Sequence, residues 1–442
     1  MPSPKRITNF QCSRELQKRA HQLIPAGCHT YSKGDDQFPQ NAPGFITRGE
    51  GCRVWDVDGN GYLDWGMGLR SVILGHAYPR VLEAVIAGLR RGSNFTRPSP
   101  IEVELAELLT ELIPSAEMVK FAKNGSDVTS AAVRLARAFT GRDDIAVCKE
   151  HPFFSFYDWF IGITPPNAGI PQAVKDLSHT FHYNDIDTLK ELFMRYPNQI
   201  ACVIMEPVTT DTPLESFLED VKELTHANGA VLIFDEMISG FRWHLQGAQT
   251  YFNVVPDLST FGKAMGNGFS VAALVGKREI MELGGIYHNK PKVFLLSATH
   301  GAETHALAAS VATINELREK DVAGHIWQIG RELQEGFNAL AAEMGLSDYV
   351  LCAGYPCSPY IVCRDSDKQV SLPYRTLFLQ ETIAQGVLIP YIAISHSHSQ
   401  SDVQYTLDAI RNALKVYRCA LEDGLERYLV GPAVKPVFRK YN

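Results

Sequence analysis

A lysine in a glycine-bounded loop and a carboxylate closing an apolar run are residue types that can do chemistry together. Here the run is "IFDEMISGFR" (233–242), which carries Asp235 and Glu236, and twenty-one residues after Arg242 comes Lys263 in "FGKAMGNGF". A lysine amine can condense with a carbonyl cofactor, and a buried carboxylate facing a pyridine nitrogen keeps that ring protonated and able to draw electrons from a carbanion. Pyridoxal 5'-phosphate needs this pair and an anion site besides. The stretch "KNGSDVTSA" offers one: Gly125 and Ser126 fall between a strand pattern and a helix pattern, where unpaired N–H groups and the Ser126 hydroxyl can meet a phosphate. Taken singly, Asp235 could be a helix cap, Lys263 a solvated charge and "NGSD" an ordinary turn. The combination is what points to a cofactor.

Other phosphate motifs fail. No glycine precedes Lys263 at the interval of a Walker loop, and Ala264 stands where Ser or Thr is needed. "GMGLRS" has two of the three glycines of a dinucleotide turn and no βαβ context. The elements that must position Asp235 and Lys263 are legible as an alternation. "EVELAELLTELI" (102–113) reads as helix, "VKFAKNGSD" as a short strand entering a turn, and "TSAAVRLARAFTG" (129–141) as a helix stopped by Gly141. "DIAVCK", "IACVIMEPV" (200–208) and "AVLIFDEM" (230–237) read as further strands, with "LEDVKELTHANG" (218–229) a helix closed by Gly229. Continuous apolar strands spaced by helices mean a sheet buried on both faces and mostly parallel, an α/β fold. Ligands of such sheets sit beyond the carboxyl ends of the strands, where Asp235 falls.

The flanks read differently. "DVDGNG" in the first sixty residues is a turn between two strand-like runs, and a long helical stretch (303–345) leads to an α+β unit from near Tyr349, with a last helix that Ser401 and Gln404 could open as a capping box. The division expected is an N-terminal segment 1–65, a large central domain 66–330 and a C-terminal domain 331–442, the two ends forming one smaller domain.

With 442 residues, 45% hydrophobic and 21% charged, the chain can bury a large core. A net charge of −7 and the absence of a basic run interleaved with aromatics argue against nucleic acid as partner. Nine scattered cysteines with no CxxC pair suggest neither a disulfide framework nor a metal site, and fit a reducing cytoplasm. The start lacks the apolar core of a signal peptide, and no eighteen-residue apolar run offers a membrane span. Small molecules are the partners expected.

"NGSDVTSAAVRLARAFTGRD", "IFDEMISGFR", "PDLSTFGKAMGNGFSVAALVGKREIM" and "LSATHGAETHALAA", in this order, resemble the class III aminotransferases, and within them the proteins like glutamate-1-semialdehyde 2,1-aminomutase. The resemblance runs from about residue 25 to about 415. It implies a fold type I pyridoxal phosphate enzyme: a mainly parallel seven-stranded sheet, a smaller domain from both termini, and a homodimer with shared sites. Matched motif to motif, Lys263 is the Schiff-base lysine and Asp235 the partner of the pyridine nitrogen. Gly125 and Ser126 take the phosphate, Thr299 reaches the phosphate of the neighbouring subunit, and Met237 packs on the ring where valine is usual. Glu206, closing its strand run, is counted with the cofactor-binding residues.

The sequence departs from the family twice. Where an aromatic, His, Gly triplet is usual it has "CKEHPFFSFYDWF", so that His151 or Phe153 takes the stacking role, with His151 preferred; and "GAETH" replaces the usual Gly, Asn, Pro after the threonine. Transaminase, aminomutase and epimerase or racemase chemistry all fit these residues. A catalytically inactive cofactor-binding protein would lose Lys263 or Asp235 first. For substrate carboxylates the candidate cations are Lys33 and Arg97, but Asp35 and Asp36 beside Lys33 oppose a second anion. The expectation is therefore a transaminase with an amino acid donor such as glutamate and a polar, sugar-type carbonyl acceptor.

Overall fold

In the computed structural model, which describes residues 6–151 and 153–441, the apolar runs of the middle of the chain become one seven-stranded sheet. Its strands are β1 (Met118–Ala122), β2 (Asp144–Cys148), β3 (Ser178–Phe181), β4 (Ile200–Met205), β5 (Val231–Asp235), β6 (Leu258–Phe261) and β7 (Ala272–Gly276), in the order β1-β7-β6-β5-β4-β2-β3. Only β7 runs against its neighbours. Every residue of β2, β4 and β5 is buried, because alternate side chains enter two different cores. Ile145, Val147, Cys202, Ile204 and Ile233 pack with Val128, Ala131 and Leu135 of helix α1 (Gly125–Thr140); Ala146, Val203, Met205 and Phe234 pack with Phe193, Phe217 and Val221 on the other face. Each of the Val, Leu, Ile, Phe and Met side chains among them contributes about 1.5–3 kcal/mol by leaving water. The fold is the type I α/β architecture expected; β3, β6 and β7 were not legible as separate strands.

This sheet belongs to a compact unit made of Pro79–Ala323 with the residues from Phe438 onward; the described residues up to Tyr78 and Gly324–Val437 form a second. In the second, Ile46–Glu50, Arg53–Asp56 and Gly61–Asp64 make an antiparallel meander to which Val387–Leu388 adds a parallel strand. The "DVDGNG" turn closes as read: Asp56 Oδ1 accepts the N–H groups of Asp58 and Asn60, and Gly59 takes φ +82°. The long helical stretch is two helices, Thr304–Glu319 and Val322–Glu343, parted at Asp321 with φ +44°. The last helix opens two residues earlier than expected, at Gln400, since Asp402 rather than Gln404 returns the hydrogen bond to the capping serine, Ser399. Among the described residues no helix is long and apolar enough to cross a membrane, and no group of His, Cys, Asp and Glu could hold a metal.

Candidate functional site

Asp235 is the last residue of β5 and is 2% exposed. Its Oδ1 accepts the Met237 N–H at 3.0 Å and the hydroxyl of Thr260, its register partner on β6, at 2.9 Å. Burial raises its pKa to about 6, against the pull of the Met237 N–H, the Lys263 charge and the Thr260 hydroxyl. The Lys263 charge is thus felt at Asp235. Lys263 follows the end of β6 by two residues and opens a short 3₁₀ turn, Lys263–Gly266, with φ +43°. A left-handed conformation is uncommon for a long side chain and clusters at functional positions.

The neighbouring glycines make room. A Cβ on Gly262 would run into Met237 Cε and Sδ, and one on Gly125 would lie 3.0 Å from the same Cε. Met237 therefore fills the gap between the start of α1 and the strand leading to Lys263, and joins the anion turn to the lysine loop. At the turn, Asn124 caps α1 by accepting the Asp127 N–H at 3.1 Å, and the first N–H groups of the helix have no partner within it. Ser126 is buried and its Oγ accepts the Phe156 N–H at 3.1 Å, while Thr129 donates to the Phe154 carbonyl at 2.9 Å. These bonds hold 153–156 against the helix start. The dipole and N–H groups there suit a phosphate, and the buried Asp235 suits a cationic ring nitrogen; the residues fit pyridoxal phosphate.

His151 and Glu206 meet one strand further on. His151, 2% exposed, takes the Glu206 N–H on Nδ1 at 2.9 Å, and its ring stands 5.2 Å from that of Tyr183 and 5.9 Å from that of Phe154. Since Nδ1 accepts, the proton sits on Nε2, which is buried with no hydrogen-bond partner among the described residues. Burial lowers the basicity of this imidazole to about 3, so it is neutral at any working pH. Phe153, by contrast, is 45% exposed, with its ring edge-on to Phe160. Thr299 is exposed, and its carbonyl accepts from Asn94 at 3.0 Å. Lys33 and Arg97 are exposed as well, while Asp35 pairs with His21 at 2.9 Å.

Sequence reasoning missed Thr260, Gly262 and Met237's double contact. The signal was there in "STFGK": a hydroxyl three residues before the lysine falls beside Asp235 once β5 and β6 pair in parallel. It also missed the ion pair of Lys123 with Glu303 at 2.7 Å, next to the anion turn.

The profile of the class III aminotransferases matches residues 36–390. Glutamate-1-semialdehyde 2,1-aminomutase of Sulfurihydrogenibium azorense is 32% identical over 439 residues, covering 92% of this chain and 100% of its own. The 3-aminobutyryl-CoA aminotransferase of Cloacimonas acidaminovorans is 34% identical over 412 residues, covering 91% and 96%. Among solved structures, the FumI protein of Sphingopyxis sp. MTA144, determined with its pyridoxal phosphate, superposes with a TM-score of 0.84 at 26% identity, over 93% of this chain and 97% of that one. Fold and likeness agree: the chain belongs to the class III aminotransferases, a family of pyridoxal phosphate enzymes.

Proposed function

We propose that this chain is a transaminase that carries pyridoxal phosphate on Lys263 and moves an amino group from an amino acid such as glutamate to the carbonyl of a polar, sugar-type metabolite. When bound, the cofactor supplies an electron sink that stabilises a carbanion beside the substrate nitrogen. The chain's own residues do the rest. Asp235, ionised against a ring cation, keeps that sink switched on. The start of α1, with Gly125 and Ser126, holds the phosphate end, and Met237 backs the ring. The Lys263 amine, released when substrate binds, carries the proton from one carbon to another. For the stacking ring, Phe153 is better presented than His151: it is half exposed on a segment tied to Ser126 and Thr129, whereas the His151 ring is enclosed. His151 and Glu206 then hold the end of β4.

The observation that carries the choice of substrate is the charge around Lys33. It lies on a short turn followed at once by Asp35 and Asp36, and Asp35 pairs with His21. Such a surface repels a second carboxylate and offers hydrogen bonds to hydroxyls. The relatives do not decide between transaminase and aminomutase, since both names occur at similar identity. A half-reaction screen does. The holoenzyme is presented with amino acids and amines, and its aminated form with oxo acids, aldehydes and keto sugars, following the cofactor spectrum. Rapid conversion of glutamate-1-semialdehyde to 5-aminolevulinate without a second substrate would establish the aminomutase instead.

Thr299 completes the reading as a contact to the phosphate of a second copy, making the active unit a homodimer. Mixing Lys263→Ala chains with Thr299→Ala chains should restore activity, because each heterodimer then holds one intact site. Full activity in a species that sediments as a monomer would refute shared sites.

A further inference from the structure

Lys123 directly precedes the anion turn, and Glu303 directly precedes helix Thr304–Glu319, 180 residues away in sequence. Their side chains meet at 2.7 Å, each only about a fifth exposed, at 23% and 21%. Glu303 is not spent on capping its helix: no side-chain bond from it reaches the helix N–H groups. Its other oxygen lies 3.4 Å from His300 Nδ1, within the loop that carries Thr299. The Lys123 hydrogen bond leads in holding the pKa of this carboxyl below its ordinary value, so it is ionised and paired throughout the neutral range. The Lys123 backbone is tethered too, its carbonyl accepting the Ser270 hydroxyl at 2.7 Å, seven residues after Lys263. One residue pair thus ties together the segment of Gly125 and Ser126, the loop of Lys263 and the loop of Thr299. Glu303 belongs to "GAETH", the stretch where this chain departs from its family's usual pattern.

We propose that Lys123 and Glu303 are positioning residues: their ion pair clamps the Thr299 loop to the anion turn and so sets the phosphate ends of two cofactor sites, its own through Gly125 and Ser126 and that of the second copy through Thr299. This rests on the cofactor reading above. Neither residue needs to touch the cofactor. Lys123 placed here without Glu303 would be an unpaired cation beside an anion turn, free to draw the phosphate out of register, and the Thr299 loop would lose this tie while keeping its bonds near residues 92–94.

The test compares two probes on the cofactor-free full-length protein: pyridoxal phosphate, and pyridoxal, which lacks the phosphate. Glu303→Gln keeps the shape and removes the charge. It should weaken pyridoxal phosphate by about ten-fold and leave pyridoxal within about two-fold, a selectivity that general unfolding would not produce. The exchanged pair Lys123→Glu with Glu303→Lys should recover most of the loss. Equal losses for both probes, no loss for either, or no recovery in the exchanged pair would each overturn the clamp. Thr299→Ala separates this from the parent reading. If it leaves phosphate selectivity intact while Glu303→Gln does not, the Thr299 contact is wrong and the clamp acts on Gly125 and Ser126 alone. If Thr299→Ala loses selectivity and Glu303→Gln keeps it, the contact holds and the clamp fails.

Discussion

Two pockets at the tip of β5 hold neighbouring carboxylates, Asp235 at 2% exposure and Glu236 at 1%, and they are built for different ends. Around Glu236 the protein closes completely: Ala248 and Gln249 donate backbone N–H groups at 2.5 and 3.0 Å, Gln249 Nε2 at 3.1 Å and Ser239 Oγ at 3.0 Å. Gly247 is needed there, because a Cβ would press on both carboxylate oxygens. Around Asp235 both donors fall on the same oxygen, and the remaining influence is the charge of Lys263. Burial raises both acids above their ordinary range. One carboxylate is satisfied by the fold and fastens a loop; the other is left with charge to offer a ligand. Burial alone does not separate scaffold from site, but the bookkeeping of donors does.

Substitutions should split along this line. Lys263→Ala should lower turnover by at least about 10⁴-fold with the fold retained by circular dichroism, as expected when a proton-transfer group is deleted. Asp235→Asn should cost about 10³-fold in kcat, since an amide cannot hold a ring cation, while a comparable loss in Glu236→Gln at normal stability would break the comparison. In Glu236→Gln the new NH₂ group faces the N–H donors of Ala248 and Gln249, so stability should fall by about 2–4 kcal/mol in urea unfolding.

Asp235→Asn should do the opposite to stability. Its carboxyl titrates near 6 in the folded, cofactor-free protein against an ordinary 3.8, so between those values the folded state holds a proton that the unfolded state has released. The group's contribution is therefore fullest below about pH 4 and is lost as pH rises through about 6. The variant, which keeps an oxygen for Thr260 and Met237, should be more stable than the parent at pH 7 by about 1–3 kcal/mol, with the difference vanishing near pH 4. Adding pyridoxal phosphate should stabilise the parent more than the variant. Smallest of all, Met237→Val should cost about 1 kcal/mol and weaken the cofactor a few-fold, because a shorter side chain leaves the gap between Gly125 and Gly262 underfilled.

Much of this was legible in the sequence because the relevant residues sit where local pattern is strongest. β2, β4 and β5 are continuous apolar runs, Gly141 and Gly229 stop their helices at φ +69° and +67°, and Asp235 closes its strand. What was not legible depends on distant pairing. β6 and β7 are only four and five residues long, and their identity as strands comes from hydrogen bonds to β5 and β1. Thr260 gains its role only when β5 and β6 come into register. The flanking residues ranked His151 ahead of Phe153, whereas exposure presents Phe153 more openly, and the Lys123–Glu303 pair joins positions 180 residues apart.

The central claim is that Lys263, whose charge is felt at Asp235, is where the cofactor is held. Borohydride reduction of the purified protein followed by proteolysis and mass mapping measures it directly. The account expects one pyridoxyl phosphate label per chain, on the peptide containing "FGKAMGNGF". A label on another lysine, or a reduced protein that carries none after saturation with pyridoxal phosphate, would contradict it.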